Sequence, residues 1–333
     1  MSWEEIVGQP VAIRQLQKAL KRNRVNHAYL FYGPEGVGKR TTARSLAQAL
    51  NCAEQISGEF CGHCRSCRLI AEGKHPDVAE VSRSGTNIRL KQIQEIARQA
   101  QYRPTEGPWK VFVLQEAEHL NGEAANHLLK ILEEPPDQTV FILTARATFG
   151  LLETILSRCQ QIRFQALTER GIQEILVRRF SAEPARAKQI ALVAEGSLSL
   201  AQELLVNQQK SFRGEVLELL SRLGNQSPAS VIALTEGWTG TERIKVLMAG
   251  LSMWFRDLLV WQKTGDAELL INQDCLELIK SQAPVWYPAG KFLRIIQQAR
   301  RKLEQHANGQ LLLEVLLLEL NEARLKEHLV KIG

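Results

Sequence analysis

Residues 33–39, Gly33-Pro34-Glu35-Gly36-Val37-Gly38-Lys39, have the glycine spacing and closing lysine of a phosphate-binding loop. Gly33, Gly36 and Gly38 would let backbone N–H groups turn inward around phosphate oxygens, and Val37 lies within the same cradle. The N-terminus of the following helix adds partial positive charge there, and Lys39 can reach the terminal phosphates. The alternative is a glycine-rich turn that holds no ligand. The next position should carry Ser or Thr to ligate Mg²⁺; here it is Arg40. Thr41 and Thr42 follow, but each helical step turns a side chain by about 100°. The second metal position, an acid at the end of a buried strand, falls on Gln115-Glu116. A neutral amide is a poorer Mg²⁺ partner than a carboxylate, whereas Glu116 stands where a water-activating carboxylate belongs. Two altered metal positions predict that Mg²⁺ is not held, that ATP or ADP binding is weak or absent, and that hydrolysis is slow or missing. The alternative is a shifted register in which Thr41 and Glu118 do this work.

Cys52, Cys61, Cys64 and Cys67 form a C-x8-C-x2-C-x2-C cluster. In a reducing compartment that spacing points to tetrahedral, structural Zn²⁺. Four thiolates leave no open position for catalysis, and the polar segment between them needs the metal to fold. Reduced thiols or a redox pair are the alternatives. Ser157-Arg158-Cys159 falls between two expected strands. A loop arginine is usually a solvated surface residue, but in oligomeric ATPases one can reach a neighbour's γ-phosphate.

These groups need a scaffold. Apolar runs at Ala28 to Tyr32, Val78 to Val81, Val111 to Leu114, Val140 to Leu143 and Ile162 to Phe164 alternate with helical patterns over the first 165 residues, which predicts a parallel sheet covered on both faces. From Leu167 onward the pattern is helical, with breaks at Gly196-Ser197, 224–228, 237–240, Gly265-Asp266, Pro284 and Pro288. The last helix, from Gln310 to about Val330, is apolar on nearly all sides in its first half and is expected to be buried. Trp254, Phe255, Trp261 and Trp286 read as core or interface rather than as base-stacking platforms. The chain has 333 residues, 44% hydrophobic and 23% charged, with a net charge of +6. It is neither disordered nor strongly basic, so contact with a nucleic-acid backbone is permitted but not demanded. The most apolar stretch, ten residues from Leu311 to Leu320, carries Glu314 and Glu319 and is too short to span a membrane. Met1-Ser2-Trp3-Glu4-Glu5 has no signal-peptide pattern, so the expected location is cytoplasmic.

Taken in order, the motifs resemble those of the bacterial DNA polymerase III clamp-loader AAA+ family, nearest its delta-prime members. The resemblance rests on Ile6-Val7-Gly8-Gln9, His27-Ala28-Tyr29-Leu30, the four cysteines, residues 126–136 with Leu132-Glu133-Glu134-Pro135-Pro136 at their end, and Ser157-Arg158-Cys159. It implies an α/β P-loop AAA+ base with a parallel sheet and an inserted zinc module, followed by an α-helical lid and an α-helical collar domain. The corresponding boundaries are 1–166, with the module at about 52–67, then 167–208 and 209–333. It implies that Arg158 is an arginine finger acting in trans on ATP bound by a gamma/tau ATPase subunit. Partners would be gamma/tau and delta subunits in a hetero-oligomeric ring, with the sliding clamp and primer-template DNA reached through the complex. Thr144 would be a polar sensor on its strand, or else a strand-end Thr that hydrogen-bonds backbone. Ser199 stands where ATPase members carry a phosphate-sensing arginine. Arg40, Gln115 and Ser199 together suit a non-hydrolysing member better than a gamma/tau-like active ATPase, which is the second reading. A zinc-dependent DNA-binding module is a third, weakened by the modest charge.

Overall fold

The computed structural model describes residues 3, 6–85, 87–194, 196–207, 210–223, 226–238, 240–304 and 307–330. The five expected strands form: β1 (Ala28–Tyr32), β2 (Val78–Val81), β3 (Lys110–Leu114), β4 (Thr139–Ala145) and β5 (Gln160–Arg163). They make one sheet in the order β2-β3-β4-β1-β5, and every pairing is parallel. This is the parallel sheet anticipated above, with the glycine loop following its first strand. Residues alternate between faces along each strand, so Tyr29 and Phe31 enter one core while Ala28 and Leu30 enter the other. Phe112 and Phe141 stack across β3 and β4 with ring centroids 5.4 Å apart. The register pairs Leu114 with Leu143, and Phe31 with Thr144. The carboxyl ends of β3, β4 and β1 therefore lie side by side, where ligands of open α/β sheets bind.

Helices α1 (Pro10–Lys21), α2 (Lys39–Asn51), α3 (Arg65–Ala71), α4 (Leu90–Ala100), α5 (Gly122–Glu133) and α6 (Glu153–Leu156) pack around the sheet, and α7 (Glu169–Phe180) follows it. The sequence reading did not anticipate α1 or α3. Pro10 starts α1, and Ala12, Leu16 and Leu20 bury one stripe of it. The cysteine segment hides α3 because its cap is a thiol: Cys64 Sγ accepts the Cys67 N–H. This first compact unit comprises Met1–Ile175 and Glu195–Ser199.

The second unit comprises Leu176–Ala194 and Leu200–Gly333, and among the described residues it is helical without strands. Its helices are α8 (Pro184–Val193), α9 (Leu198–Asn207, whose first two residues belong to the first unit), α10 (Lys210–Arg222), α11 (Pro228–Ala233), α12 (Thr241–Thr264), α13 (Leu276–Gln282), α14 (Ala289–Glu304) and α15 (Gly309–Val330). Phe255, Trp286 and Phe292 form an aromatic knot with centroids 5.2, 5.3 and 5.1 Å apart. Buried Trp254 sits beside it, while Trp261 is only half-buried. On α15, Leu312, Leu313, Leu316, Leu317 and Leu320 are buried, but Leu311 and Val315 are exposed. One stripe of that helix is thus open, contrary to the all-round burial its composition suggests. No helix among the described residues is long and apolar enough to cross a membrane.

Candidate functional site

The glycine loop leaves β1 at Tyr32 and is tied to β4 by the Gly33 N–H, which donates to the Ala145 carbonyl at 3.2 Å. Any Cβ at Gly33 would lie 2.2 Å from the Phe164 carbonyl oxygen, so only glycine fits. Gly38, at φ +96°, turns the chain into α2 from the left-handed region. Val37 is buried, and its carbonyl accepts from Gln9 Nε2 at 3.3 Å. Gln9 also exchanges hydrogen bonds with the backbone of Gln165, at 2.7 and 3.0 Å, pinning the loop from behind. Lys39 Nζ donates to the Gly33 and Pro34 carbonyls, both at 2.5 Å. Burial pulls Lys39 down from the usual lysine range to about 8, against the opposing pull of Glu118 and Glu35. Gly36 lies against residues 197–199, and its carbonyl accepts the Leu198 N–H at 3.1 Å. Ser199 brings both its backbone nitrogen and its Oγ to within 3 Å of where a Cβ at Gly36 would stand.

Both departures at the metal positions meet on one residue. Arg40 donates to Glu80 Oε2 through Nε and Nη2, each at 2.8 Å, and Gln115 Nε2 donates to the same oxygen at 2.8 Å. Arg44, one turn along α2, donates to Glu80 Oε1. A Mg²⁺ site needs oxygens free to turn toward the ion. Here the carboxylate between α2 and β3 is taken by two guanidinium groups and an amide, so the donor set does not fit a divalent cation. Thr42 spends its hydroxyl on the Gly38 carbonyl at 2.9 Å; Thr41 is half-buried on α2.

Glu116 has φ +55° and donates its N–H to Thr144 Oγ1 at 3.2 Å. Its carboxylate pairs with Arg83 at 3.1 Å. Thr144 is buried and joins the two strand ends. Glu118 Oε1 accepts the Arg146 N–H at 3.1 Å, and the Arg146 side chain pairs with Glu35 at 2.9 Å. Glu118 Oε2 is buried with no hydrogen-bond partner. Sequence reasoning missed Glu80, Arg44, Arg83 and Arg146. One signal was legible: Arg40 and Arg44 are four residues apart on a helix, on one face. Their shared anion was not, because Glu80 comes from β2, a separate element 40 residues from Arg40.

The four cysteine sulfurs lie within 4.8 Å of one another. Cys52 Sγ is 3.6 Å from Cys61 Sγ and 4.0 Å from Cys64 Sγ. Sulfurs around tetrahedral Zn²⁺ at about 2.3 Å would be roughly 3.8 Å apart, so the residues fit that ion. All four are free of disulfides. The backbone N–H groups of Cys61, Cys64 and Cys67 point at cluster sulfurs at 3.4, 3.2 and 3.5 Å, which favours thiolates. His63 is exposed, 3.6 Å from Glu54, and these two lie with Cys61 Sγ within 4.8 Å of one another at the edge of the cluster. Cys52 caps the far end of α2 from Lys39, about 20 Å along the helix axis. The cluster is thus remote from the phosphate loop.

Arg158 follows α6 and precedes β5. Its Nη1 donates to the Thr154 carbonyl at 3.0 Å and to Ser157 Oγ at 3.3 Å, and its Nη2 is 2.7 Å from Glu133 Oε1. Cys159 is buried, and burial pushes its thiol up to about 12, so it packs as a neutral side chain. In the parallel register Gln160 pairs with Tyr29, while the glycine loop begins beyond Tyr32. Arg158 therefore stands at the amino ends of the strands, opposite the phosphate loop, which collects at their carboxyl ends with Gln115, Glu116 and Thr144.

A family model described as DNA polymerase III, delta subunit matches residues 8–168, and one described as DNA polymerase III, delta subunit, C terminal, matches residues 207–322. DNA polymerase III subunit delta' of Bacillus subtilis is 31% identical over 332 residues, covering 97% of this chain and 99% of that protein. This chain belongs to the DNA polymerase III delta' family. Subunit delta' of Pseudomonas aeruginosa is 34% identical, covering 88% of this chain and 91% of that protein. Subunit tau of Bacillus subtilis is also 34% identical, but over 65% of this chain and 39% of that longer protein. The delta' likeness runs the length of the chain, through both compact units. It therefore includes the helical region in which sequence motifs are sparse.

Proposed function

We propose that this chain is the non-hydrolysing, delta'-type subunit of a DNA polymerase III clamp loader. It lends Arg158 to ATP bound by a neighbouring gamma/tau ATPase, within a ring that includes a delta subunit. The assembly loads a sliding clamp onto primer-template DNA in the cytoplasm. The chain is divided into a base (1–166), a lid (167–208) and a collar (209–333) that holds the ring together. Its own phosphate loop (Gly33, Gly36, Val37, Gly38, Lys39, Arg40, Thr41) with Gln115, Glu116 and Thr144 is a degenerate site with weak or no nucleotide binding. Cys52, Cys61, Cys64 and Cys67 hold a structural Zn²⁺.

The observation that carries this reading is the joint capture of Glu80 by Arg40 and Gln115, a guanidinium and a neutral amide at the positions where hydrolysis would need metal ligands. Two further features support the trans role. Arg158 is at the opposite end of the sheet from its own loop. Phe149, 94% exposed, and exposed Leu152 lie on the segment that leads to it, and apolar groups of that size favour a partner's cover. The test is ATP turnover by the purified chain and by the reconstituted complex. The chain alone should be inert. Arg158→Ala should leave assembly intact and silence one neighbouring site, a loss of about 10³-fold or more at that site. Turnover by the isolated chain, or an unaltered complex, would overturn the reading.

A further inference from the structure

Glu133 is the last residue of α5, and no motif chemistry assigns it a task. Its carboxylate nevertheless meets the guanidinium of Arg158 at 2.7 Å. On its other side that guanidinium is bonded to the Thr154 carbonyl and the Ser157 hydroxyl. Both terminal nitrogens are engaged within this chain. The groups that meet it are all hydrogen-bond acceptors: a carboxylate, a hydroxyl and the Thr154 carbonyl of α6. A terminal phosphate offers the same chemistry as Glu133, namely planar or forked oxygens bearing negative charge, with more charge. The two anions would compete for the Nη2 edge.

We infer that Glu133 is a positioning residue that keeps Arg158 at home until the terminal phosphate of a nucleoside triphosphate on the neighbouring subunit displaces it. The inference rests on the trans role of Arg158 proposed above. The pair is half-exposed, with 34% and 49% of the side chains accessible, so its hold is weak and its exchange for phosphate is cheap. A stronger, buried pair would trap the finger; an unpaired finger would swing freely and lose orientation on each encounter. Because Glu133 competes in the ground state and is absent from the engaged state, it acts on nucleotide affinity rather than on the chemical step.

The experiment measures turnover against ATP concentration in the reconstituted complex. It compares wild type, Glu133→Gln, Glu133→Asp, Arg158→Ala and the Glu133→Gln/Arg158→Ala pair. The Arg158-dependent component is the difference from Arg158→Ala. Glu133→Gln should lower the KM of that component about two- to fivefold, the range expected of a half-exposed ion pair, with kcat unchanged. Glu133→Asp, which keeps the charge, should stay near wild type. In the Arg158→Ala background Glu133→Gln should do nothing. If Arg158→Ala has no effect, the finger role itself fails. If Arg158→Ala depresses turnover but Glu133→Gln leaves KM where it was, only the restraint fails. A fall in kcat with Glu133→Gln also overturns it, since Glu133 would then orient the engaged arginine. Matching thermal melts for the variants keep a folding defect from being read as any of these.

Discussion

Arg40 and Gln115 donate to the same oxygen of Glu80, each at 2.8 Å, although they come from α2 and from the end of β3. In sequence they are two separate departures from a metal site. In the fold they are one network, in which a guanidinium and an amide share a single carboxylate oxygen. Arg44 completes the set from the next turn of the same helix.

Because the departures share a partner, their reversal is coupled. Arg40→Thr or Gln115→Asp alone should leave nucleotide affinity unchanged with or without Mg²⁺. Made together they remove one cation and add one anion beside Glu80. The double variant should bind ATP about tenfold more tightly when Mg²⁺ is added, a change of about 1.4 kcal/mol. Calorimetric titration with and without EDTA measures it, and equal affinities in the two buffers would count against the network as the cause of metal exclusion.

Lys39 gives a pH signature. Burial brings its pKa to about 8. Between that pH and the ordinary lysine range the unfolded chain holds a proton that the folded chain has released. Stability should therefore rise with pH through this window, and Lys39→Met should remove that rise. Any phosphate held by the loop should weaken over the same range as the ammonium is lost. A lysine side-chain NMR titration should find one midpoint near 8 that is missing from Lys39→Met.

The cysteine cluster predicts one Zn²⁺ per chain by elemental analysis. Cys64→Ser, or removal of the metal by a strong chelator, should lower Tm by on the order of 10 °C, since metal affinity is folding free energy here. The phosphate-loop end of α2 should keep its amide-exchange protection, because the cluster is at the other end of the helix. A metal-free chain with an unaltered melt would be incompatible with a structural ion.

Asp77 is buried just before β2, and its carboxylate accepts the N–H groups of Thr105, Glu106 and Gly107 at 2.6, 2.7 and 2.9 Å. Burial raises its pKa, but those three donors outweigh burial and hold it below the usual aspartate value. Its stabilisation is therefore present above the ordinary aspartate range and is lost as pH falls through the lowered value. Asp77→Ala strands three donors and should cost about 2–4 kcal/mol in urea unfolding at neutral pH.

The primary structure alone determined a good deal. Strands such as Val111 to Leu114 and Val140 to Leu143 are unbroken apolar runs because both faces of a parallel sheet are buried, and such runs are readable without coordinates. The glycine loop and the cysteine spacing were legible because their chemistry is packed into a few consecutive residues. Helix α3 was not, because its capping group is a cysteine that reads as a metal ligand. Nor was the open stripe of α15, since composition does not say which face a neighbour covers. Which anion meets which cation was decided only by tertiary structure. Glu80 lies 40 residues from Arg40 and 35 from Gln115, and Glu133 lies 25 from Arg158. Charge acts through space, and only the parallel order of the strands sets those distances: it gathers Arg40, Gln115 and Glu80 at one end of the sheet and leaves Arg158 at the other.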